Sequence, residues 1–207
     1  MQNNDLSIKQ KEVTMALLKR NDKYVKGILS ALSIKPTAFI AKGKFSLVYQ
    51  DAFEDCVLKL SAERLTDRYF ETMRGQHFPQ RMAVLYKGQR MINGADTLIV
   101  LSRLRKLYNV RQSEAALLYA KLIISEASAA RSRFIFDPSV SDAQLNYRTI
   151  MEVAKHTAFP HLLSVALCEL AKFARDTPNC ALDFHLNNFM VDDSGLLIFS
   201  DPFQTHT

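Results

Sequence analysis

The 207-residue chain has only three cysteines, Cys56, Cys168 and Cys180. Their odd number and their spacing fit no zinc-ligand pattern, and a reducing cytoplasm is the expected compartment. No apolar run approaches the roughly 18–20 residues needed to span a bilayer. The opening "MQNNDLSIKQKE" lacks the apolar core of a secretory signal. A membrane is therefore not an expected partner. Repeats and low-complexity segments are absent as well.

What is present is an ordinary balance, 48% hydrophobic and 23% charged residues. It predicts a globular chain with room for one sizeable core or two small lobes. The formal charge of +6 permits an anionic partner such as a nucleotide, an acidic protein or nucleic acid. The basic residues are scattered, however, and the densest stretch, "SRLRKLYNVR", is short and mixed with leucines. Nucleic acid is not the expected partner.

Apolar spacing predicts helix within residues 5–33 (Val13, Leu17; Val25, Ile28, Leu29, Leu32), broken near "KRNDK" and closed by Pro36. From Phe39 the pattern is strand-like through "AFIAKGKFSLVYQ" and "CVLKLS". Residues 62–76 read as a helix. "RMAVLYKG" and "DTLIVLSRL" read as two more strands joined at "NGAD". Beyond Lys106 the helical period returns, first after a Ser113 N-cap and again after Pro160, which suits a first-turn position. The chain then runs into a hairpin turning at "DDSG". The predicted fold is α+β and two-lobed: an N-terminal helical extension (1–34), a small antiparallel sheet with one inserted helix (35–106), and a minimal helical lobe ending in the hairpin (107–207). The seam between lobes is a natural ligand cleft.

The hairpin segment "LDFHLNNFMVDDSGLLIFSDPF" carries the chemistry. Asp183 is its second residue, Asn188 follows five residues later, and Asp201 stands thirteen residues beyond that. Singly, such residues are ordinary turn or strand-end residues. Jointly, Asp183 suits a group that accepts or orients the proton of an incoming hydroxyl. Asn188 and Asp201 offer the neutral and anionic oxygens that magnesium prefers. Upstream, period two puts Val57 and Lys59 on one strand face and Cys56, Leu58 and Leu60 on the other. A lysine flanked by apolar residues is costly to bury unpaired. A phosphate or a carboxylate is the expected partner, an edge-strand lysine that deters aggregation the bland alternative. The following helix offers Glu71, or else Glu63, as the ion-pair partner.

Together "GKFSLVY", "VLKL", "LDFHLNNFMVDDSG" and "SDPF" resemble the protein-kinase-like fold from about Thr37 to Phe203. Within it they are most similar to the early serine/threonine protein kinases of short-tailed lytic bacteriophages. The resemblance implies ATP and Mg²⁺ as cofactors and γ-phosphoryl transfer to hydroxyls of host proteins, in the host bacterial cytoplasm. It puts Ala41, Gly43 and Ser46 where three phosphate-loop glycines are usual, with Val48 and Val57 beside the nucleotide. Lys59 goes to the phosphates, Asp183 to the acceptor hydroxyl, and Asn188 with Asp201 to magnesium. Ala181 and Leu182 replace the usual His-Arg pair, and only four residues follow Phe203. An activation segment and regulation by its phosphorylation are therefore not expected. Two other readings stand beside this one. His185 also resembles loops of small-molecule phosphotransferases, and the missing peptide-binding elements suit a kinase-shaped protein that blocks a host factor without catalysis.

Overall fold

The computed structural model describes residues 18–92, 95–135 and 139–205. Val13 and Leu17, and with them the first half of the predicted N-terminal helix, lie outside these residues, as do Asn93 and Gly94 of the "NGAD" turn. Helix α1 (Lys23–Ala31) is capped by Asp22, whose carboxylate accepts from the Tyr24 amide at 2.7 Å. Its Val25, Ile28 and Leu29, at helical spacing, are buried. They pack on one face of a five-stranded antiparallel sheet of order β1-β2-β3-β5-β4. The strands are β1 (Phe39–Lys42), β2 (Ser46–Gln50), β3 (Cys56–Ser61), β4 (Arg81–Ile92) and β5 (Ala95–Arg105). Leu47, Tyr49, Leu58, Leu60, Ile99 and Leu101 complete that core.

Helix α2 (Arg64–Thr72) connects β3 to β4 and is shorter than the predicted 62–76. The chain leaves it at Met73 and turns at Gly75, whose φ of +115° suits glycine alone. Beyond β6 (Tyr108–Asn109) come α3 (Glu114–Phe134), α4 (Asp142–Ala154) and α5 (His161–Asp176). Ser113 caps α3 as expected, accepting from the Ala116 amide. Pro160 is the N-cap of α5 and not a first-turn residue. Helix α4 goes unmarked in the apolar pattern because its buried face carries Asn146 and Thr149 beside Leu145, Ile150 and Val153. Asn146 is used structurally: it accepts from Arg131 of α3 and donates to the Cys180 carbonyl at 2.6 Å.

The predicted hairpin is present as β8 (Phe189–Val191) and β9 (Leu197–Phe199), and β6 joins it to make three strands. Two short strands that the sequence pattern does not mark, β7 (Cys180–Leu182) and β10 (Phe203–Thr205), pair with each other around it. The second core unites these strands with α2 to α5 through Tyr69, Ile123, Leu167, Phe189, Phe199 and Phe203. The architecture is α+β and compatible with two lobes. No helix among the described residues is long and apolar enough to cross a membrane.

Helix α2 is tied to both neighbours. The Tyr69 hydroxyl donates to the Phe199 carbonyl at 2.6 Å. Asp67, 4% exposed, pairs with Arg81 of β4 at 2.5 Å and with Lys87 at 2.8 Å. Removing one member of a buried ion pair strands the other charge. Asp67→Ala is therefore expected to cost about 3–5 kcal/mol, and the double change Asp67→Leu, Arg81→Met to recover most of that loss. Urea unfolding of the three proteins measures both numbers, and equal stabilities of the single variant and the parent would refute the assignment.

Candidate active site

Strand β3 is the central strand of its sheet. Because Leu58 and Leu60 point into the α1 core, period two turns Val57 and Lys59 to the opposite face. Lys59 stands across from Val48 on β2 and Ser102 on β5, and Val48 in turn from Ala41 on β1. Ala41, Val48, Val57 and Lys59 thus share one face, on which both valines are half-buried. The Lys59 side chain is 12% exposed, so its ammonium needs a partner. That partner is Asp201, with Oδ2 at 3.4 Å from Nζ, and the Phe70 ring lies 5.3 Å away.

Asp201 stands two residues after the end of β9 and is held by what flanks it. The Ser200 amide and hydroxyl both donate to the Asn188 carbonyl at 2.9 Å. The Pro202 carbonyl accepts from the Asp183 amide at 2.9 Å. Asn188, at the end of the 3₁₀ turn Leu186–Asn188, closes the ring. Its Nδ2 donates to the Asp183 carbonyl at 2.8 Å and to Asp183 Oδ2 at 3.0 Å. Since a carbonyl only accepts, these bonds fix which end of the amide is nitrogen and leave Oδ1 outside them. The Asp183 carboxylate also lies 3.4 Å from His185 Nε2.

The β1–β2 turn is closed by the Gly43 amide donating to the Ser46 carbonyl at 2.9 Å. A Cβ at Gly43 would meet Ser46 Oγ at 2.8 Å, so a larger residue there would require the serine side chain to turn away. Phe45 is buried under the turn, and its carbonyl accepts from the Ala62 amide just before α2.

Lys59, Asp201, Asn188 and Asp183 thus form one connected polar group, with Val57 on the same strand as Lys59, Ala41, Ser46 and Val48 on β1 and β2, and Gly43 in the turn between those two. The expected Lys59–Glu71 pair is not formed. Glu71 lies 3.0 Å from Lys87 and 3.8 Å from Arg81, because one helical step separates it from Phe70, which takes the side facing Lys59. Glu63, the other candidate, is buried and bonded to Thr66 and Thr205. Ser200, the Pro202 carbonyl and Phe70 are parts of the site that motif reading passes over. A serine immediately before Asp201 was the one visible hint.

Among the described residues there is no cluster of three or more His, Cys, Asp or Glu, so no cage made wholly of such ligands. The donor set fits magnesium in another way. One carboxylate and one amide oxygen make a hard two-oxygen site, and Mg²⁺ commonly fills its remaining positions with water and substrate phosphate. A separate groove of about 560 Å³ lies between the starts of α3 and α5 and the β8–β9 turn; none of the four polar residues lines it. No protein-family model matches the chain, and no curated protein matches it.

The β8–β9 turn that brings Asn188 and Asp201 together rests on Asp192. One carboxylate oxygen accepts from the Ser194 amide (3.0 Å), the Ser194 hydroxyl (2.7 Å) and the Leu196 amide (3.0 Å). Burial pushes this carboxyl up, but those hydrogen bonds outweigh it and hold it below the ordinary aspartate range. A depressed carboxyl contributes stability that is complete above the unfolded value, about 3.9, and is lost as pH falls through the lower folded one. Asp192→Ala is expected to cost about 1 kcal/mol at pH 7. The gap between variant and parent should narrow in urea unfolding at about pH 3 and below. A gap that is unchanged or wider in acid would contradict the sign.

Proposed function

We propose that this chain is an ATP- and Mg²⁺-dependent serine/threonine protein kinase, of the kind lytic bacteriophages make early in infection, acting on host proteins in the bacterial cytoplasm. The observation that carries the reading is the meeting of Lys59 with Asp201, 142 positions later in the chain, at 3.4 Å. Asp183 and Asn188 are hydrogen-bonded beside them. A structural lysine needs a single carboxylate, whereas beside this pair stand a second aspartate and an amide whose oxygen is left outside the ring.

When bound, ATP with Mg²⁺ supplies the transferable γ-phosphoryl group and screens its charge. Asn188 Oδ1 and the Asp201 carboxylate are the oxygens that hold the cation. Lys59 has three N–H donors, and its contact with Asp201 uses one, leaving two for phosphate oxygens. Val48 and Val57 give the apolar surface against which the base stacks. Gly43 lets the β1–β2 turn approach phosphate with its backbone. Asp183 takes the proton of the acceptor hydroxyl as the new oxygen–phosphorus bond forms and ADP departs.

The test is purified protein with labelled ATP and Mg²⁺, with and without bacterial lysate. Asp183→Asn keeps the size and most hydrogen bonding but removes the proton acceptor, and transfer should fall by roughly 10²–10⁴-fold. Asp201→Asn should weaken metal–nucleotide binding, since an anionic ligand is gone. If both variants fold and keep the full biological effect in the infected host, the kinase reading is wrong and a surface-blocking protein takes its place.

A further inference from the structure

Glu63 has no place in the transfer outlined above, yet it is a carboxylate only 7% exposed. Every bond recorded to it comes from a neutral donor. Oε2 accepts from the Thr66 hydroxyl at 2.8 Å, and Oε1 from the Thr205 hydroxyl at 2.6 Å and the Thr205 amide at 3.2 Å. A buried carboxylate is expensive and persists only where donors replace its water. Bonds to a charged acceptor are also the strong class of hydrogen bond. The two residues joined lie 142 positions apart: Glu63 immediately precedes α2, and Thr205 is the last residue of β10.

Strand β10 has little else to hold its far end. It is three residues long and among the described residues pairs only with β7, itself three residues long. A two-stranded ribbon of that size is marginal alone. Phe203 anchors the near end by stacking on Phe173, ring centres 5.3 Å apart. The register Thr205↔Cys180, Gln204↔Ala181, Phe203↔Leu182 continues one step further as the Asp183 amide bonded to the Pro202 carbonyl. Asp201 is the next residue. The crevice between α2 and this segment, lined by Leu65, Thr66, Tyr69, Asp201, Pro202 and Phe203, is too tight to admit a water molecule. Loosening of β10 at Thr205 therefore passes directly into the spacing of Asp183 and Asp201.

We propose that Glu63 is a positioning residue: its carboxylate clamps the end of β10 to the start of α2 and so holds Asp183 and Asp201 in register. The clamp is a property of the fold, and only its consequence for phosphoryl transfer rests on the function proposed above.

The experiment compares the full chain with Glu63→Ala, Glu63→Gln and Thr205→Val by hydrogen exchange at residues 180–183, thiol labelling of Cys180, and transfer kinetics. Cys180 is a useful reporter because it is 1% exposed and faces Thr205 across the ribbon. In Glu63→Ala, exchange of the Asp183 amide and labelling of Cys180 should each rise by about ten-fold or more, the effect of one lost hydrogen bond to a charged group, while α3 and α5 keep their protection. Glu63→Gln keeps an acceptor oxygen for Thr205 and should return both readouts to near the parent's. Transfer should follow the same order, through kcat where Asp183 is displaced and through KM for ATP where Asp201 is. A folded Glu63→Ala protein with parental exchange at Asp183 overturns the clamp. So does a Glu63→Gln protein that behaves like Glu63→Ala. Should Glu63→Ala fail to fold, Thr205→Val decides, with local acceleration at 180–183 supporting the clamp and parental exchange overturning it. A parent that neither binds Mg²⁺–ATP nor transfers phosphate would end the proposed function, while the exchange and labelling results would still decide the clamp.

Discussion

A lysine in the central strand of a sheet, seven-eighths buried, must find an anion or distort the sheet around it. Lys59 finds Asp201, and much of the molecule is arranged to keep that carboxylate in place. The β8–β9 hairpin delivers Asp201 at its end. Ser200 fastens the hairpin to the backbone of Asn188, and Pro202 fastens it to the backbone of Asp183. The two sides of the pair also differ in freedom. Lys59 is fixed by a long strand with partners on both edges, whereas the Asp201 side chain is 41% exposed. The aspartate is thus the member of the pair with access to water.

What the sequence revealed follows from the range of the forces involved. Alternation in "CVLKL" is a local property and correctly turned Lys59 away from Leu58 and Leu60. The Ser113 cap and the "DDSG" turn are likewise local, and both stand where the pattern put them. Short strands with distant partners are not local. Neither β7 nor β10 has enough residues to show a period, and each exists because the other is held beside it. Helix α4 was hidden for a different reason: its buried Asn146 and Thr149 break the apolar stripe, and Asn146 is tolerated because it is bonded on both sides.

Asp183, Asn188 and Asp201 were legible because their spacing reflects a hairpin, which brings its two ends together by construction, and Lys59 because strand alternation set it apart from Leu58 and Leu60. The partner of Lys59 was not. Choosing Glu71 treated α2 as a carrier of charge toward the sheet. The helical period instead turns Leu65, Tyr69 and Phe70 inward, and a glutamate next to Phe70 is rotated toward the basic residues of β4. Burial decides such cases. An inward glutamate would have had to displace Phe70, whose ring packs against both the Lys59 ammonium and the Arg81 guanidinium, 5.3 Å from each.

Helix α2 consequently bears on the site without touching Lys59 through a charge. It acts through three bonds on three faces: Asp67 to Arg81 in the sheet, Tyr69 to the carbonyl of Phe199, and Glu63 to Thr205. The first anchors the helix to β4, in the same sheet as Lys59. The other two anchor it on either side of Asp201, two residues before and four after. A helix moored this way cannot slide out and leave Asp201 where it is, since Phe199 and Thr205 would have to travel with it or lose buried hydrogen bonds. Position of the helix and spacing of the polar group are then one degree of freedom, fixed when the second core closes around Tyr69, Phe173 and Phe203. That is a rigid way to hold a group of polar side chains in fixed spacing.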